Sequence, residues 1–264
     1  MNKNLAFIQL FFHNVDVGGA DDKKGFEMLL TGPEIQKRMA GKNPDIVIRP
    51  FDERCLGSNS YDLHLGDTLK VYKHTIPFGM KPAIPYKGDP KLHKMKDWFD
   101  YAVRYDTYLS NPNEFDIRNP RHLIDPTNPA HHETIDIKIP DTGLILSPDI
   151  GYLGSTVEYT ETRNLFPEID GKSSIGRNFI LNHHTAGRGD DGFCGQWTLE
   201  IHVLYPTVVY PYMRIGQIYF KEFTGERKPY DKNPTSHYNG QMGPTPAAPV
   251  AVDWFLRDAM QKQK

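Results

Sequence analysis

Residues 171–177, with the sequence Gly-Lys-Ser-Ser-Ile-Gly-Arg, concentrate groups that can bind anions. Glycine lets a backbone approach an anion closely, and the free N–H groups of such a loop bind phosphate. Lys172 and Arg177 add positive charge, and a guanidinium can hold an anion through two parallel hydrogen bonds. Ser173 and Ser174 add two hydroxyl groups. The segment has the chemistry of a phosphate-binding loop, and its composition is equally typical of a turn at a strand end.

A second segment, residues 185–195, is rich in glycine and predicts a hairpin that leads into Glu200. The fixed N–H and C=O groups of a hairpin backbone can read the edge of a nucleobase. Asp190 lies at the predicted tip, and the neighbouring Phe193 is placed to help close a site. If the Glu200 side chain faces inward, burial would raise its pKa toward the range of a general base. The alternative is that Glu200 lies on the solvated face of an amphipathic strand.

A third segment, residues 236–245, is polar and rich in glycine, with the sequence Ser-His-Tyr-Asn-Gly-Gln-Met-Gly-Pro-Thr. Such a composition is typical of an arm that becomes ordered over a bound ligand. It is equally typical of a disordered tail. The residue types alone leave both interpretations open.

These segments need a scaffold, which the sequence predicts to be mainly β. A helix is predicted over residues 29–41, where Thr31 can act as the N-cap and Pro33 suits the first turn. Short strands rich in β-forming residues are predicted at 46–48, 61–65, 69–72, 135–139, 198–203, 208–210 and 218–220. Many short strands without alternating helices predict an all-β barrel or sandwich.

The chain is predicted to form one domain over residues 29–250. An extension over residues 1–28 precedes it, and a short terminal helix and tail over residues 251–264 follow it. Residues 74–134 contain many Pro, Asp, Asn, Lys and His residues and predict an irregular insertion. Within this insertion, residues 94–105 are predicted to form a short helix.

The composition argues against several classes of protein. The 264 residues carry a formal net charge of −2, without the basic excess that a general nucleic-acid-binding surface needs. Two cysteines, Cys55 and Cys194, argue against a disulfide scaffold and favour a reducing compartment, so we expect a cytoplasmic protein. No apolar run approaches the ~20 residues that a membrane span needs. The short apolar patch at residues 5–12 lacks the cleavage pattern of a signal peptide.

Taken together, the motifs and their order resemble those of the dCTP deaminase family, in the superfamily that also contains the dUTPases. Upstream, the matching motifs are Ser-Asn-Ser-Tyr-Asp-Leu at 58–63 and Leu-Gly-Ser-Thr-Val-Glu at 153–158. The resemblance continues through residues 171–177, 185–200, 214–217, 229–230 and 238–245.

The resemblance implies a distorted β-barrel of the dUTPase-like type with a few short helices. It also implies a homotrimer whose active sites lie between subunits, and hydrolytic deamination of dCTP to dUTP. Mg²⁺ would be bound only through the triphosphate, without zinc or another metal held by the protein.

The resemblance also implies roles for particular residues. Glu200 would activate the water that attacks C4 of cytosine. Ser173 and Arg177, contributed by a neighbouring subunit, would hold that water and the developing charge. Asp190 would contact the sugar and, in a reaction of the dUTPase type, position water for attack on the α-phosphate.

Further substrate contacts are implied for the loop, the hairpin and the arm. The hairpin would lie against the base, and the tyrosines and glutamine of the arm would bind the base, sugar or phosphates as the arm closes. The implied contacts are Lys172, Ser174, Thr185, Ala186, Gly187, Phe193, Gln217, Tyr230, His237, Tyr238 and Gln241. His237 stands where the family usually has lysine, which weakens one expected phosphate contact.

Three other functions compete with this interpretation. A zinc-dependent cytidine deaminase needs a Cys-x-x-Cys pair, which the widely separated Cys55 and Cys194 do not provide. A dUTPase, or a bifunctional enzyme that converts dCTP to dUMP and diphosphate, is compatible with Asp190. A nucleotide-sensing module on the same fold would need no turnover, but the retained Ser173, Arg177 and Glu200 argue against it.

Overall fold

The computed structural model describes residues 28–76, 81–88, 124–148, 150–253 and 260 of the chain. Helices α1 and α2 span Gly32–Arg38 and Ser173–Gly176. The strands of the described residues are β1 (Ile46–Arg49), β2 (Tyr61–His64), β3 (Thr68–Tyr72), β4 (Ala83–Pro85), β5 (Thr134–Lys138), β6 (Leu144–Leu146), β7 (Tyr152–Thr162), β8 (Phe166–Gly171), β9 (Ile180–Leu181), β10 (Cys194–Val203), β11 (Thr207–Val209) and β12 (Arg214–Lys221).

Three antiparallel sheets form the fold. The largest has the order β5-β3-β7-β10-β9, and β1 also pairs with β7. The second has the order β11-β6-β4, and the third β2-β12-β8. The prediction of a mainly β architecture with few short helices is confirmed, and we describe it as a distorted barrel.

Two apolar clusters fill the space between the sheets. The first lies around β3, β7 and β10 and includes Leu69, Leu199 and Ile201. The second lies under α1, β2 and β12 and includes Tyr61 and Phe220. Side chains alternate along a strand, so every second residue of β10 enters the core. The residues between them lie on the other face of the sheet.

The pairing of β7 with β10 is the longest in the molecule's described part and contains an irregularity. The register shifts between Gln196 and Thr198 of β10, where Trp197 intervenes. The Trp197 backbone N–H donates to the Thr156 hydroxyl at 3.0 Å, and its indole N–H donates to the Thr160 hydroxyl at 2.9 Å. Both N–H groups of this buried tryptophan therefore have partners where the regular ladder is interrupted.

The first helix is shorter than the predicted span of residues 29–41, since α1 begins at Gly32 and ends at Arg38. Leu29 instead forms a bridge with Lys221, and the Leu30 N–H donates to the Phe220 carbonyl at 2.9 Å. The start of the predicted helix is thus extended chain beside β12. At the other end, Gly41 adopts a φ of 98°, a left-handed conformation that does not continue a helix.

Part of the predicted insertion at residues 74–134 takes on regular structure. β4 pairs with β6, and a short 3-10 helix spans Pro129–His132 before β5 begins. The helix predicted over residues 94–105 lies outside the described residues, as does most of the one predicted near the C-terminus. The domain boundaries stay predictions. No helix of the described residues is long and apolar enough to cross a membrane.

We predict that Gly189→Ala lowers the free energy of unfolding by about 1–3 kcal/mol, the usual cost of overpacking. A Cβ at this position would lie 2.1 Å from Cη2 of Trp197 and 3.0 Å from Cγ of Pro167. Both neighbours are rigid rings, so the hairpin must shift. Urea unfolding followed by tryptophan fluorescence measures the change.

Gly151→Ala is the matched control. A Cβ there would meet no described atom within 4 Å. We expect its effect to stay within about 0.5 kcal/mol, as for surface substitutions. Equal losses of stability in the two variants would contradict the packing described for Gly189.

Candidate active site

Glu200 lies near the end of β10, on the face opposite the core cluster. Leu199 and Ile201 on either side of it are buried, whereas the Glu200 side chain is half-buried. Its Oε2 accepts a hydrogen bond from the His184 backbone N–H at 3.2 Å, and its own N–H donates to the Asn182 carbonyl at 3.0 Å. The carboxylate is therefore neither enclosed in the core nor fully solvated, and one of its oxygens is already held.

The predicted hairpin, residues 185–195, comes directly after the segment whose backbone contacts Glu200. The Gly187 carbonyl accepts from the Ile169 N–H at 2.7 Å, and the Gly189 N–H donates to the Pro167 carbonyl at 2.9 Å. One side of the hairpin is thus hydrogen-bonded to β8. Thr185 and Ala186, which precede this contact, are exposed, whereas Gly187 is buried.

The hairpin turns at Asp190, whose carbonyl accepts from the Phe193 N–H at 3.1 Å. Asp190 is exposed at this turn. Gly192 adopts a φ of 89°, and a Cβ there would lie 2.8 Å from a carboxylate oxygen of Asp231. Glycine is therefore required at this turn both by the backbone conformation and by the close packing of the later chain.

Phe193 is buried beneath this turn. Its ring centre lies 4.7 Å from that of Trp197 and 6.1 Å from that of Tyr230. The aromatic side chain fixes the hairpin to the second apolar cluster. Its predicted contact with a nucleotide stays a prediction.

The candidate phosphate-binding loop folds as the one-turn helix α2. Ile175 is buried in the first apolar cluster and anchors the loop. Ser173, Ser174 and Arg177 are exposed around this anchor. The described residues contain no hydrogen bond or ion pair that joins Ser173 or Arg177 to Glu200 of the same chain. These groups are presented outward, away from the core.

Lys172, at the start of the loop, is held by Asp62 of β2. Its Nζ donates to both carboxylate oxygens of Asp62, at 2.7 and 2.8 Å. Arg214 Nη1 donates to the same carboxylate at 3.1 Å. Asp62 is thus a site-forming residue to which sequence reasoning assigned no role. Its only signal in the sequence was its place in the matching motif at residues 58–63.

The segment predicted to be an arm lies along the free edge of β10. The Gly240 N–H donates to the Cys194 carbonyl at 2.7 Å, and the Gln196 N–H donates to the Gln241 carbonyl at 3.0 Å. The Gln241 side-chain amide donates to the Gln196 carbonyl at 2.7 Å. The Gly243 N–H donates to Oε1 of Gln196 at 2.6 Å. The arm therefore continues the sheet beyond the short strand β9.

The remaining candidates of the arm form a second layer of contacts. The Tyr230 hydroxyl accepts from the Tyr238 N–H at 3.1 Å, and the Tyr238 hydroxyl accepts from the Ala248 N–H at 3.0 Å. His237 is exposed, with its ring centre 6.2 Å from that of Tyr238. Gln217 lies apart on β12, where its Oε1 accepts from the Ser60 hydroxyl at 3.3 Å.

The two cysteines lie in different surroundings. Cys55 is buried, and burial raises the pKa of its thiol. The thiol of Cys194 lies 3.3 Å from Oδ1 of Asn239. Burial, reinforced by a hydrogen bond with Cys194, raises the pKa of Tyr159 to about 12. Within the described residues, no three His, Cys, Asp or Glu side chains are grouped so as to hold a metal ion.

We predict that Gln196→Ala accelerates hydrogen exchange at the Gly243 amide by about tenfold, the equivalent of one hydrogen bond of about 1.4 kcal/mol. The change removes the Oε1 acceptor of that amide. Amide exchange measured by NMR checks the result. Gln36→Ala, which changes an exposed glutamine of α1, should leave the arm unaffected. Unchanged exchange in Gln196→Ala would contradict the docking of the arm on β10.

The family profile and the relatives to which this chain is similar share one description, that of dCTP deaminases. The sequence profile of a family described as dCTP deaminase-like matches residues 109–223. A protein of Leptospira biflexa serovar Patoc named "dCTP deaminase, dUMP-forming" is 36% identical over 220 residues, 83% of this chain and 95% of that protein. Proteins with the same name from Hathewaya histolytica and Cytophaga hutchinsonii are 33% and 34% identical, covering 83% and 81% of this chain and 96% and 93% of theirs.

Among solved structures, the chain is similar to a 2'-deoxycytidine 5'-triphosphate deaminase from Agrobacterium tumefaciens. The sequence identity is 17% and the TM-score is 0.44, over 75% of this chain. This chain spans about half, 49%, of the length of that structure.

Proposed function

Because the chain belongs to the dCTP deaminase family, we propose that it deaminates dCTP and then cleaves the resulting dUTP to dUMP and diphosphate. The motifs alone favoured dUTP as the final product, with the two-step reaction as the alternative. The names of the relatives, all dUMP-forming, support that alternative.

The position of Glu200 is the observation that carries the deamination step. Its Oε2 is occupied by the His184 N–H. We assign the other oxygen, Oε1, to the attacking water. A half-buried carboxylate on the face of a sheet opposite the core can take a proton from water and still receive a substrate from outside the core.

In the proposed deamination, Glu200 takes a proton from water as the water oxygen adds to C4 of cytosine, and it passes this proton to N3. Glu200 then takes the proton of the new C4 hydroxyl and delivers it to N4, so that the C4–N4 bond breaks, ammonia leaves and the C4 carbonyl forms. The Arg177 guanidinium and the Ser173 hydroxyl orient the water and stabilise the charge that develops. Thr185, Ala186 and the backbone around Gly187 line the base.

We propose that these groups meet between copies of the chain in a homotrimer. Ser173 and Arg177 are exposed, as residues that serve a neighbouring subunit must be before assembly. Large apolar side chains that follow the loop, lie on β9 or come directly after β10 are also exposed, namely Phe179 (50%), Leu181 (37%), Leu204 (51%) and Tyr205 (61%). Clustered exposed apolar side chains are typical of an interface.

The second step is assigned to Asp190. We propose that its carboxylate, which is exposed at the hairpin tip, contacts the sugar and directs a water onto the α-phosphorus. The water oxygen forms the new bond to that phosphorus, and the bond to the bridging oxygen breaks, which releases diphosphate. Mg²⁺ enters with the triphosphate as part of the substrate, where it neutralises charge on the leaving diphosphate.

We propose that the triphosphate is bound by Lys172 and Ser174 of the loop. The nucleotide site is completed by side chains at and near the arm and by two supporting residues, namely Tyr230, His237, Tyr238, Gln241, Phe193 and Gln217. The arm already contacts β10 through its backbone, so its side chains are carried to the same edge of the sheet as Glu200.

We predict that the protein converts dCTP with Mg²⁺ into equal amounts of ammonia, dUMP and diphosphate. Anion-exchange chromatography resolves the nucleotides and diphosphate, and an enzymatic assay measures the ammonia. Asp190→Asn should still release ammonia but accumulate dUTP. Glu200→Gln should slow ammonia release by at least about a hundredfold, the usual contribution of a general base. Asp141→Asn, at an exposed turn, is the control and should retain full turnover.

The other possible products discriminate among the remaining functions. dUTP as the final product of the unmodified protein would contradict the second step alone. Turnover of dUTP without turnover of dCTP would indicate a dUTPase. Nucleotide binding without any product would indicate a sensor and would refute the enzymatic proposal.

A mixing experiment tests the shared site. Glu200→Gln and Arg177→Ala subunits, co-expressed in equal amounts, should regain about one quarter of the wild-type activity. This fraction follows because each site draws its two residues from adjacent subunits, each of which is intact at that position half of the time. Co-expression of Glu200→Gln with the double variant Glu200→Gln/Arg177→Ala should restore nothing. If the first mixture regained no activity, both residues would belong to a site within a single subunit.

A further inference from the structure

Two histidines lie beside Glu200, and the chemistry proposed above leaves both unused. His202 is two residues beyond Glu200 on β10, so the two side chains emerge from the same face of the strand. His184 supplies the backbone N–H that holds Oε2 of Glu200. The ring centres of His184 and His202 are 5.7 Å apart, with the planes tilted by 38°.

His202 is itself fixed from the opposite side. Its Nε2 lies 2.6 Å from the backbone carbonyl oxygen of Pro148. Because a carbonyl oxygen can only accept, Nε2 must carry the proton of this hydrogen bond. The bond sets the orientation of the imidazole ring, and β9 holds the backbone of His202 opposite Leu181.

These contacts form a continuous chain from Pro148 through His202 and His184 to Glu200. The His184 side chain is exposed, so its contact with the fixed His202 ring restrains an otherwise open segment. The restrained segment is the one whose N–H reaches the carboxylate. A carboxylate that receives such a bond keeps one oxygen occupied and presents the other in a constant direction.

We propose that His202 is a positioning residue for deamination, which acts through His184 to hold the Glu200 carboxylate in its reactive orientation. This inference rests on the proposed function, in which Glu200 handles the protons. His202 touches neither the base nor the water. Its contribution comes from the hydrogen bond to Pro148 and the ring contact with His184.

The test compares His202→Leu with His202→Gln. Leucine fills similar space but cannot donate to Pro148, whereas the amide nitrogen of glutamine reaches close to the position of Nε2. We expect His202→Leu to lower kcat for ammonia release about fivefold with KM unchanged, the effect of one net hydrogen bond. His202→Gln should restore kcat to within about twofold of the wild-type value.

A second measurement needs no turnover. Hydrogen exchange at the His184 amide should accelerate about fivefold in His202→Leu and stay near the wild-type rate in His202→Gln. The Glu200 amide, which donates to Asn182, is the internal reference and should not change. This readout separates the two proposals, since it holds even if the protein does not act on dCTP.

Three results would overturn the inference. The first is a His184 amide whose exchange is the same in both variants and the wild type. The second is a loss of kcat in His202→Gln as large as in His202→Leu. The third is a parallel change of kcat, KM and thermal stability in both variants, which would indicate only a structural role for the histidine.

Discussion

Hydrogen bonding along both edges of β10 is the constraint on which the rest of the site depends. One edge pairs with β7 from Cys194 to Ile201. The other edge is shared by the arm at Gln196, by Asn182 at Glu200 and by β9 at His202. Three segments that are distant in sequence, namely β7, residues 180–182 and the arm, are thus registered against one strand. An open sheet edge exposes unpaired backbone N–H and C=O groups. The segments that pair with this edge of β10 also carry the residues of the candidate site.

Some strands could be read from the sequence because their apolar residues alternate, as in Leu199, Ile201 and Val203 of β10. The long strand β7 was not among the predicted strands. What the sequence could not show was which segments they would recruit. Leu29 looks like the start of a helix but pairs with Lys221, a partner almost the whole domain away. Likewise, β4 consists of three residues ending in proline, and it becomes a strand only because β6 offers it an edge.

In the site, too, local motifs could be predicted from the sequence, whereas contacts between distant segments could not. Glu200, Ser173, Arg177 and the arm were predicted by residue type and by resemblance, because their motifs are local in sequence. Asp62 lies in one of the matching motifs, but its contact with Lys172, more than a hundred positions later, could not be predicted in this way. The pairing of His184 with His202 was equally hidden, as it depends on the register of β9 against β10.

The carboxylate of Asp62, which Lys172 and Arg214 share, also lowers the effective positive charge of the loop. Lys172 and Arg214 are both neutralised in part by this internal anion before any nucleotide arrives. In the proposed nucleotide site, Lys172 would thus release few mobile counterions to a triphosphate. We therefore expect ionic strength to affect nucleotide affinity less than the number of nearby cations suggests. An enzyme built in this way discriminates among anions by geometry more than by attraction.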